Sequence, residues 1–238
     1  MTDSIEYMVR RRHVRSLLNY LEEERTGLHV TDLVYGCPRY ASYVMSARRD
    51  KAAKRNIDEG GLLRLAMGRL LDSLPIGDWH HVDLVLEKSG LMGQIDDIIY
   101  RKGIGGDELL IVDKKTIVEK PPREAHDHYL TQVLIYAYML RYGSIVGCEC
   151  GDLDLLRKLS KSSQTKLRGA ILYVDVSVST KTMVSDVKVF DIDSKALADV
   201  EKFLEHMLSG VNSLNPEAVP SWFCHYCPIM NDCWRGEW

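Results

Sequence analysis

Cys224, Cys227 and Cys233 repeat as C-x2-C-x5-C within the last fifteen residues of the chain. Thiols at such spacing are rarely idle, because a thiolate is either a soft metal ligand or a disulfide partner. Three is an odd number for either role, so a fourth partner has to come from elsewhere. Cys37, in Tyr35-Gly36-Cys37-Pro38-Arg39, is the candidate. If Cys37 closes the set, a clasp joins the start of the chain to its end, and everything between must fold so that the two meet. That constraint favours a single domain over residues 1–238, with 1–40 and 216–238 as the clasp around a core at about 62–210.

The 238 residues suffice for one large α/β domain. Six cysteines in a chain of this length, opening on the polar Met1-Thr2-Asp3-Ser4-Ile5-Glu6, do not read as a secreted disulfide framework. A cytoplasmic protein with a metal or cluster site fits better. No run approaches the roughly 18 apolar residues of a membrane span. The net charge of −3 argues against coating nucleic acid through bulk charge, but leaves room for a local basic groove. Arg10-Arg11-Arg12 with Arg15, and Arg48-Arg49 with Lys51, Lys54 and Arg55, would supply one unless they are solvated helix faces.

Apolar residues at helical spacing predict a helix over about Ile5 to Glu24, ended near Gly27. Thr31 or Asp32 is placed to cap a short helix before Cys37. A second long helix is expected from near Tyr40, broken around 56–61 and resuming from Leu62 to Leu74. Val82 to Glu87 and Leu91 to Tyr100 then read as strands joined by a turn. Leu109 to Val112 is an apolar run of the kind found in central strands, ending in Asp113-Lys114-Lys115-Thr116. A helix over Glu124 to Tyr142, a polar stretch over 147–166 with a helical part near Asp154 to Leu159, a hairpin (169–176 and 182–190) and a helix capped by Ser194 complete a mixed sheet flanked by helices.

The third strand delivers charge at the end of a dry sheet, which is costly unless used. Side chains two apart share a strand face, so Asp113 and Lys115 point one way and Lys114 the other. A carboxylate beside a lysine suits metal-assisted phosphodiester hydrolysis, the carboxylate holding a hard dication and the ammonium stabilising charge or helping to deprotonate water. Asp96, on the neighbouring strand, would converge on the same ion. A salt bridge between neighbours is the plainer account of a bare D-x-K. The setting argues against it: an apolar strand before, a Gly-x-x-Asp strand preceding, and a helix following in which Gln132 and Tyr136, four apart, share a face.

Gly93-Gln94-Ile95-Asp96, Ile111-Val112-Asp113-Lys114-Lys115-Thr116 and Gln132-Val133-Leu134-Ile135-Tyr136 resemble the successive motifs of RecB-type nucleases of the PD-(D/E)XK superfamily. Cys37-Pro38-Arg39 with the terminal C-x2-C-x5-C resembles the iron–sulfur clasp of one branch, which includes the CRISPR-associated exonucleases numbered four among the Cas proteins and the AddB nuclease domain. The resemblance runs from about Thr31 to Trp234. It implies an α/β restriction-endonuclease-like core, Asp96 and Asp113 as ligands of Mg²⁺ or Mn²⁺, the Lys114 carbonyl as a further ligand, Lys115 as catalytic lysine, and Gln132 and Tyr136 as supports of the site. Where the family commonly has a histidine four residues after a helix glycine, this chain has Asp72 after Gly68. Asp72 is either a substituted metal ligand or a surface carboxylate. His80, His81 and Glu87 are weaker rivals for the metal, the histidines reading as exposed turn residues.

Four thiolates bind either zinc or an iron–sulfur cluster. The one-plus-three arrangement of Cys37 with Cys224, Cys227 and Cys233 resembles the family's [4Fe–4S] site, with Trp222, Phe223 and Trp234 expected to shield it. Cys148 and Cys150 are read as thiols outside that set, against the alternative of a second metal site. The function so implied is a DNA exonuclease acting on single strands or overhangs. In the CRISPR-associated group it trims DNA for new spacers, with the integrase complex as partner; a homo-oligomer is compatible. The alternatives are a catalytically weak DNA-binding or assembly subunit of the same fold, and a repair or replication accessory nuclease.

Overall fold

A computed structural model describes residues 27–49, 68, 74–103, 105–117, 120–149, 151–175 and 184–235. The helix expected over 5–24, the basic cluster at 10–15, most of the helix expected over 40–74, and Asp72 itself lie outside the described residues.

Six strands form one mixed sheet, in the order β4-β1-β2-β3-β5-β6. Strands β1 (Trp79–Leu86), β2 (Leu91–Gly103) and β3 (Gly106–Ile117) make the antiparallel meander that the turn residues announce. On its other side β3 pairs in parallel with β5 (Lys166–Asp175), and β5 pairs antiparallel with β6 (Val184–Ile192). A parallel neighbour demands a crossover. Here it carries helix α3 (Asp127–Tyr142), strand β4 (Ser144–Gly147) and helix α4 (Leu153–Lys161). β4 was not legible: four residues are too few for a periodicity, and it exists because it pairs with Asp83–Val85 on the far edge of the sheet.

Among the described residues, two short helices, α1 (Val30–Leu33) and α2 (Pro38–Arg49), precede the sheet. The cap of α1 is His29, with Asp32 in the third position accepting the His29 N–H at 2.9 Å. Pro38 opens α2, where its fixed φ and missing N–H cost nothing. Helix α5 (Ser194–Val211) buries Leu197, Val200, Leu204, Met207 and Val211, a stripe at alternating spacings of three and four. It packs on α3 and α2. Its cap is Asp193 rather than Ser194: the Asp193 carboxylate accepts the Ala196 N–H at 2.7 Å. A 3-10 turn (Trp222–Tyr226) and helix α6 (Met230–Arg235) end the described chain. Arg39 ties this tail to the start of α2. Its N–H donates to the Glu217 carbonyl at 3.1 Å, its Nε to the Pro216 carbonyl at 2.8 Å, and its Nη1 lies 3.6 Å from Cys233 Sγ. No helix among the described residues is long and apolar enough to cross a membrane.

Candidate active site

The sheet forks in its middle. Pairing between β2 and β3 ends at Asp97 and Val112. Beyond that point, among the described residues, β2 pairs with β1 and, through Met92, with the Leu28–His29 backbone, and β3 pairs with β5. Asp96, Asp113, Lys114 and Lys115 stand at the opening. Asp96 Oδ2 accepts the Lys114 N–H at 2.6 Å, bridging the fork with a side chain where the ladder has stopped. The Lys114 N–H and C=O project from the same side of the strand, so that carbonyl is turned toward Asp96 too.

Strand alternation also slips here. His80 and His81 are adjacent yet stack on each other, their ring centroids 3.8 Å apart. In β2, Ile95 and Ile98, three apart, are both fully buried. At the same point His81 has a φ of 47°, the one positive φ of a non-glycine residue among those described, while the β1–β2 register runs through unshifted, from Trp79↔Ile98 and His80↔Asp97 to Val82↔Ile95.

On β3 the alternation holds. Lys115 Nζ lies 3.0 and 2.9 Å from the two Asp113 oxygens and 3.0 Å from Gln132 Oε1. Gln132 Nε2 in turn donates to the Tyr136 hydroxyl at 2.9 Å. Gln132 and Tyr136 are buried on α3, and α3 can approach this closely because β2 offers Gly93 beneath it. A Cβ at Gly93 would sit 2.9 Å from the Tyr136 ring and 2.9 Å from a Val30 methyl. The opposite side takes Lys114, whose ammonium meets Asp97 Oδ2 at 2.5 Å and the Leu74 carbonyl at 2.8 Å.

Burial works against the Lys115 ammonium, but the charge and hydrogen bond of Asp113, with Asp96 and Tyr129 adding, lift its pKa above the usual lysine value. It is therefore a fixed cation, suited to stabilising negative charge rather than to taking a proton. Its Nζ also sits 4.8 Å from the centre of the Tyr129 ring. Tyr129 and His128 were missed in the sequence. The available signal was Tyr129 lying three residues before Gln132, which puts both on the helix face that meets Lys115. His128 is pulled down to about 4, first by burial and then by His126 and Lys115, so it is neutral at pH 7.

The profile of the PD-(D/E)XK nuclease superfamily matches residues 38–233. The chain belongs to that superfamily. No curated protein gives a significant match. A PD-(D/E)XK nuclease works with divalent metals such as Mg²⁺ or Mn²⁺, and the oxygens at the fork (Asp96, Asp113 and the Lys114 carbonyl) are the hard donors such ions take. Glu87 is not at this nuclease site: it is exposed in the turn after β1 and accepts the Ser144 hydroxyl at 2.7 Å. His80 and His81 are not turn residues either. Both lie in β1, and His80 is buried.

Cys37, Cys224, Cys227 and Cys233 line a common cavity of about 250 Å³, closed by Ala218, Val219, Pro220, Ile229 and Met230. Burial raises the Cys227 thiol pKa, and proximity to Cys37, Cys224 and Cys233 raises it further. Trp222 and Phe223 do not line this cavity, contrary to the shielding expected of them; the Trp234 side chain lies outside the described residues. Phe223 stacks on Tyr35 at 3.8 Å instead, and Trp222, half exposed, lies 5.3 Å from His128. The two are part of an aromatic band running from the cysteine tail through His128 to Tyr129, whose ring lies 4.0 Å from His128.

Proposed function

We propose that this PD-(D/E)XK protein is a DNA exonuclease that acts on single-stranded ends and carries a [4Fe–4S] cluster on Cys37, Cys224, Cys227 and Cys233. The observation that carries the reading is the Lys115 ammonium, pinned between Asp113 and Gln132 with Asp96 across the fork. A bound Mg²⁺ or Mn²⁺ would polarise the scissile phosphate and make water nucleophilic at neutral pH. Asp96, Asp113 and the Lys114 carbonyl would hold it, and Asp72 is proposed as a further ligand. Lys115 neutralises charge developing on the phosphate, and Gln132, tied to Tyr136, fixes the direction of its ammonium. The single-strand preference is supported by the aromatic band, in which Trp222 and Tyr226 are large exposed rings on which unpaired bases stack.

The cluster is supported over zinc by the one-plus-three arrangement of the thiols: Cys37, remote in sequence, lines the same cavity as Cys224, Cys227 and Cys233. Trimming DNA for spacer integration, with the CRISPR integrase as partner, is the pathway that the motif order and the one-plus-three cysteines suggest.

The test is cleavage of a 5′-labelled single strand and of a blunt duplex with Mn²⁺ or Mg²⁺, comparing wild type with Asp113→Ala. Shortening of the single strand by wild type alone supports the reading. Equal trace cleavage by both proteins, with DNA still bound, would establish a binding subunit instead. Anaerobically purified protein should be brown and absorb near 400 nm, and Cys37→Ser should lose that band.

A further inference from the structure

On the far side of the fork from Lys115, three side chains converge that the nuclease chemistry does not use. His80 is 3 % exposed, and its Nδ1 lies 3.1 Å from Asp97 Oδ1. That oxygen also accepts the Ile76 and Gly77 N–H groups, at 3.0 and 3.1 Å, and the other Asp97 oxygen faces the Lys114 ammonium. Asp97 Oδ1 is thus placed as an acceptor, which makes His80 Nδ1 the donor and leaves a lone pair on Nε2. His80 Nε2 is buried and has no hydrogen-bond partner among the described residues. It lies 4.0 Å from Glu149 Oε2, while Glu149 Oε1 lies 2.8 Å from His81 Nδ1. The Glu149 N–H donates to the His80 carbonyl at 2.9 Å, fixing the loop that presents this carboxylate.

From these contacts we propose that His80, His81 and Glu149 form a second metal site, selective for a zinc-like transition-metal dication rather than the Mg²⁺ or Mn²⁺ of the fork. Two imidazoles and one carboxylate are the donor set of such ions, and their ligand atoms already lie within 4.8 Å of one another. Asp97 supplies the carboxylate that orients a ligating histidine through its other nitrogen. The left-handed backbone at His81, unfavourable for a non-glycine residue, is what turns its ring to the side of His80. An ordinary strand would send the two rings to opposite faces. Asp97 joins this site to Lys114, whose N–H holds Asp96, so the two metal sites share one buried carboxylate–lysine pair.

The experiment is equilibrium dialysis of chelator-treated full-length protein against Zn²⁺ and Co²⁺, with melting curves at each metal level. Wild type is compared with Glu149→Gln, an exposed position where folding is safe, and with His81→Gly, which keeps the left-handed backbone but removes the ligand. Zinc held by thiols or by the fork is common to all three proteins and subtracts out. The expected result is one equivalent lost in His81→Gly, at least tenfold weaker binding of that equivalent in Glu149→Gln, and a Co²⁺ difference spectrum without thiolate charge-transfer bands. Metal-free His81→Gly should melt no lower than wild type, yet lose the metal-dependent rise. Equal equivalents and equal affinities in the three proteins would overturn the site and leave two ion pairs in its place.

Discussion

Gly93→Ala tests the link between sheet geometry and Lys115, the lysine proposed as catalytic. The added methyl would meet the Tyr136 ring at 2.9 and 3.3 Å and a Val30 methyl at 2.9 Å. Carbon–carbon contacts settle at roughly 3.5–4.0 Å, so the neighbours must retreat by about 0.6 Å or more. Neither can do so by a side-chain swing, since Val30 is 1 % and Tyr136 4 % exposed. The retreat falls on α3 or α1 as a body. Overpacking of this kind costs roughly 1–3 kcal/mol, a fall in Tm of about 2–12 °C for a domain of this size. Moving α3 also moves Gln132 away from Lys115, and a misplacement near 1 Å is worth about 10²-fold in rate. Guanidinium unfolding and metal-dependent strand cleavage, measured side by side, separate the two effects. Gly105→Ala is the control, because a Cβ there meets nothing within 4 Å. Should Gly93→Ala keep both the stability and the rate of Gly105→Ala, the glycine is not what lets α3 reach the lysine.

Adjacent aspartates should separate by assay: Asp97→Ala leaves the buried Lys114 ammonium without its carboxylate and should cost about 3–5 kcal/mol in denaturant unfolding. Asp96→Ala should abolish cleavage at a smaller cost in unfolding free energy, on the order of the ~1 kcal/mol of the hydrogen bond that it accepts from the Lys114 N–H. His128, held near 4 when folded, takes up its proton in the unfolded chain near its ordinary value of 6.5. The unfolded state therefore binds more protons, and stability falls as pH drops from about 6.5 toward 4. His128→Gln should flatten that part of the curve, as read by urea unfolding at pH 7 and pH 5. Trp222→Ala should weaken single-strand binding roughly 5- to 150-fold, the loss of about one stacked base, and change duplex binding little in the same fluorescence titration.

The parts of the fold readable from the chain were those with a local signature. Three strands with turns of Lys88-Ser89-Gly90 and Gly103 to Gly106, and a helix of full length over Asp127–Tyr142, announce themselves. Asp113 and Lys115 could be assigned one face because β3 alternates regularly where they sit. β4 escaped because its pairing is wholly tertiary. The slip at His81 escaped for a related reason: nothing in the letters His-His distinguishes a left-handed residue from an extended one, and only the convergence of Asp97 and Glu149 accounts for it. The sequence singled out Asp96 through the Gly93-Gln94-Ile95-Asp96 motif and gave Asp97 no role. They part company because one faces the fork and the other a buried lysine.

The parallel join of β3 to β5 has a further consequence, for synthesis. A chain made from its N-terminus can pair β1, β2 and β3 once Ile117 has emerged. β2 then already lies beside β3 as far as Val112, and Asp96 can reach the Lys114 N–H, but the strand that pairs with Asp113 and Lys115 comes only after the whole crossover, at Lys166–Asp175. Such non-local pairing is the slow part of folding. The acidic mouth is thus laid down early and walled late, and the cysteines of the tail arrive last of all. An unfinished copy of this chain holds Asp96 and Asp113 on adjacent strands before the strand that flanks them has been made.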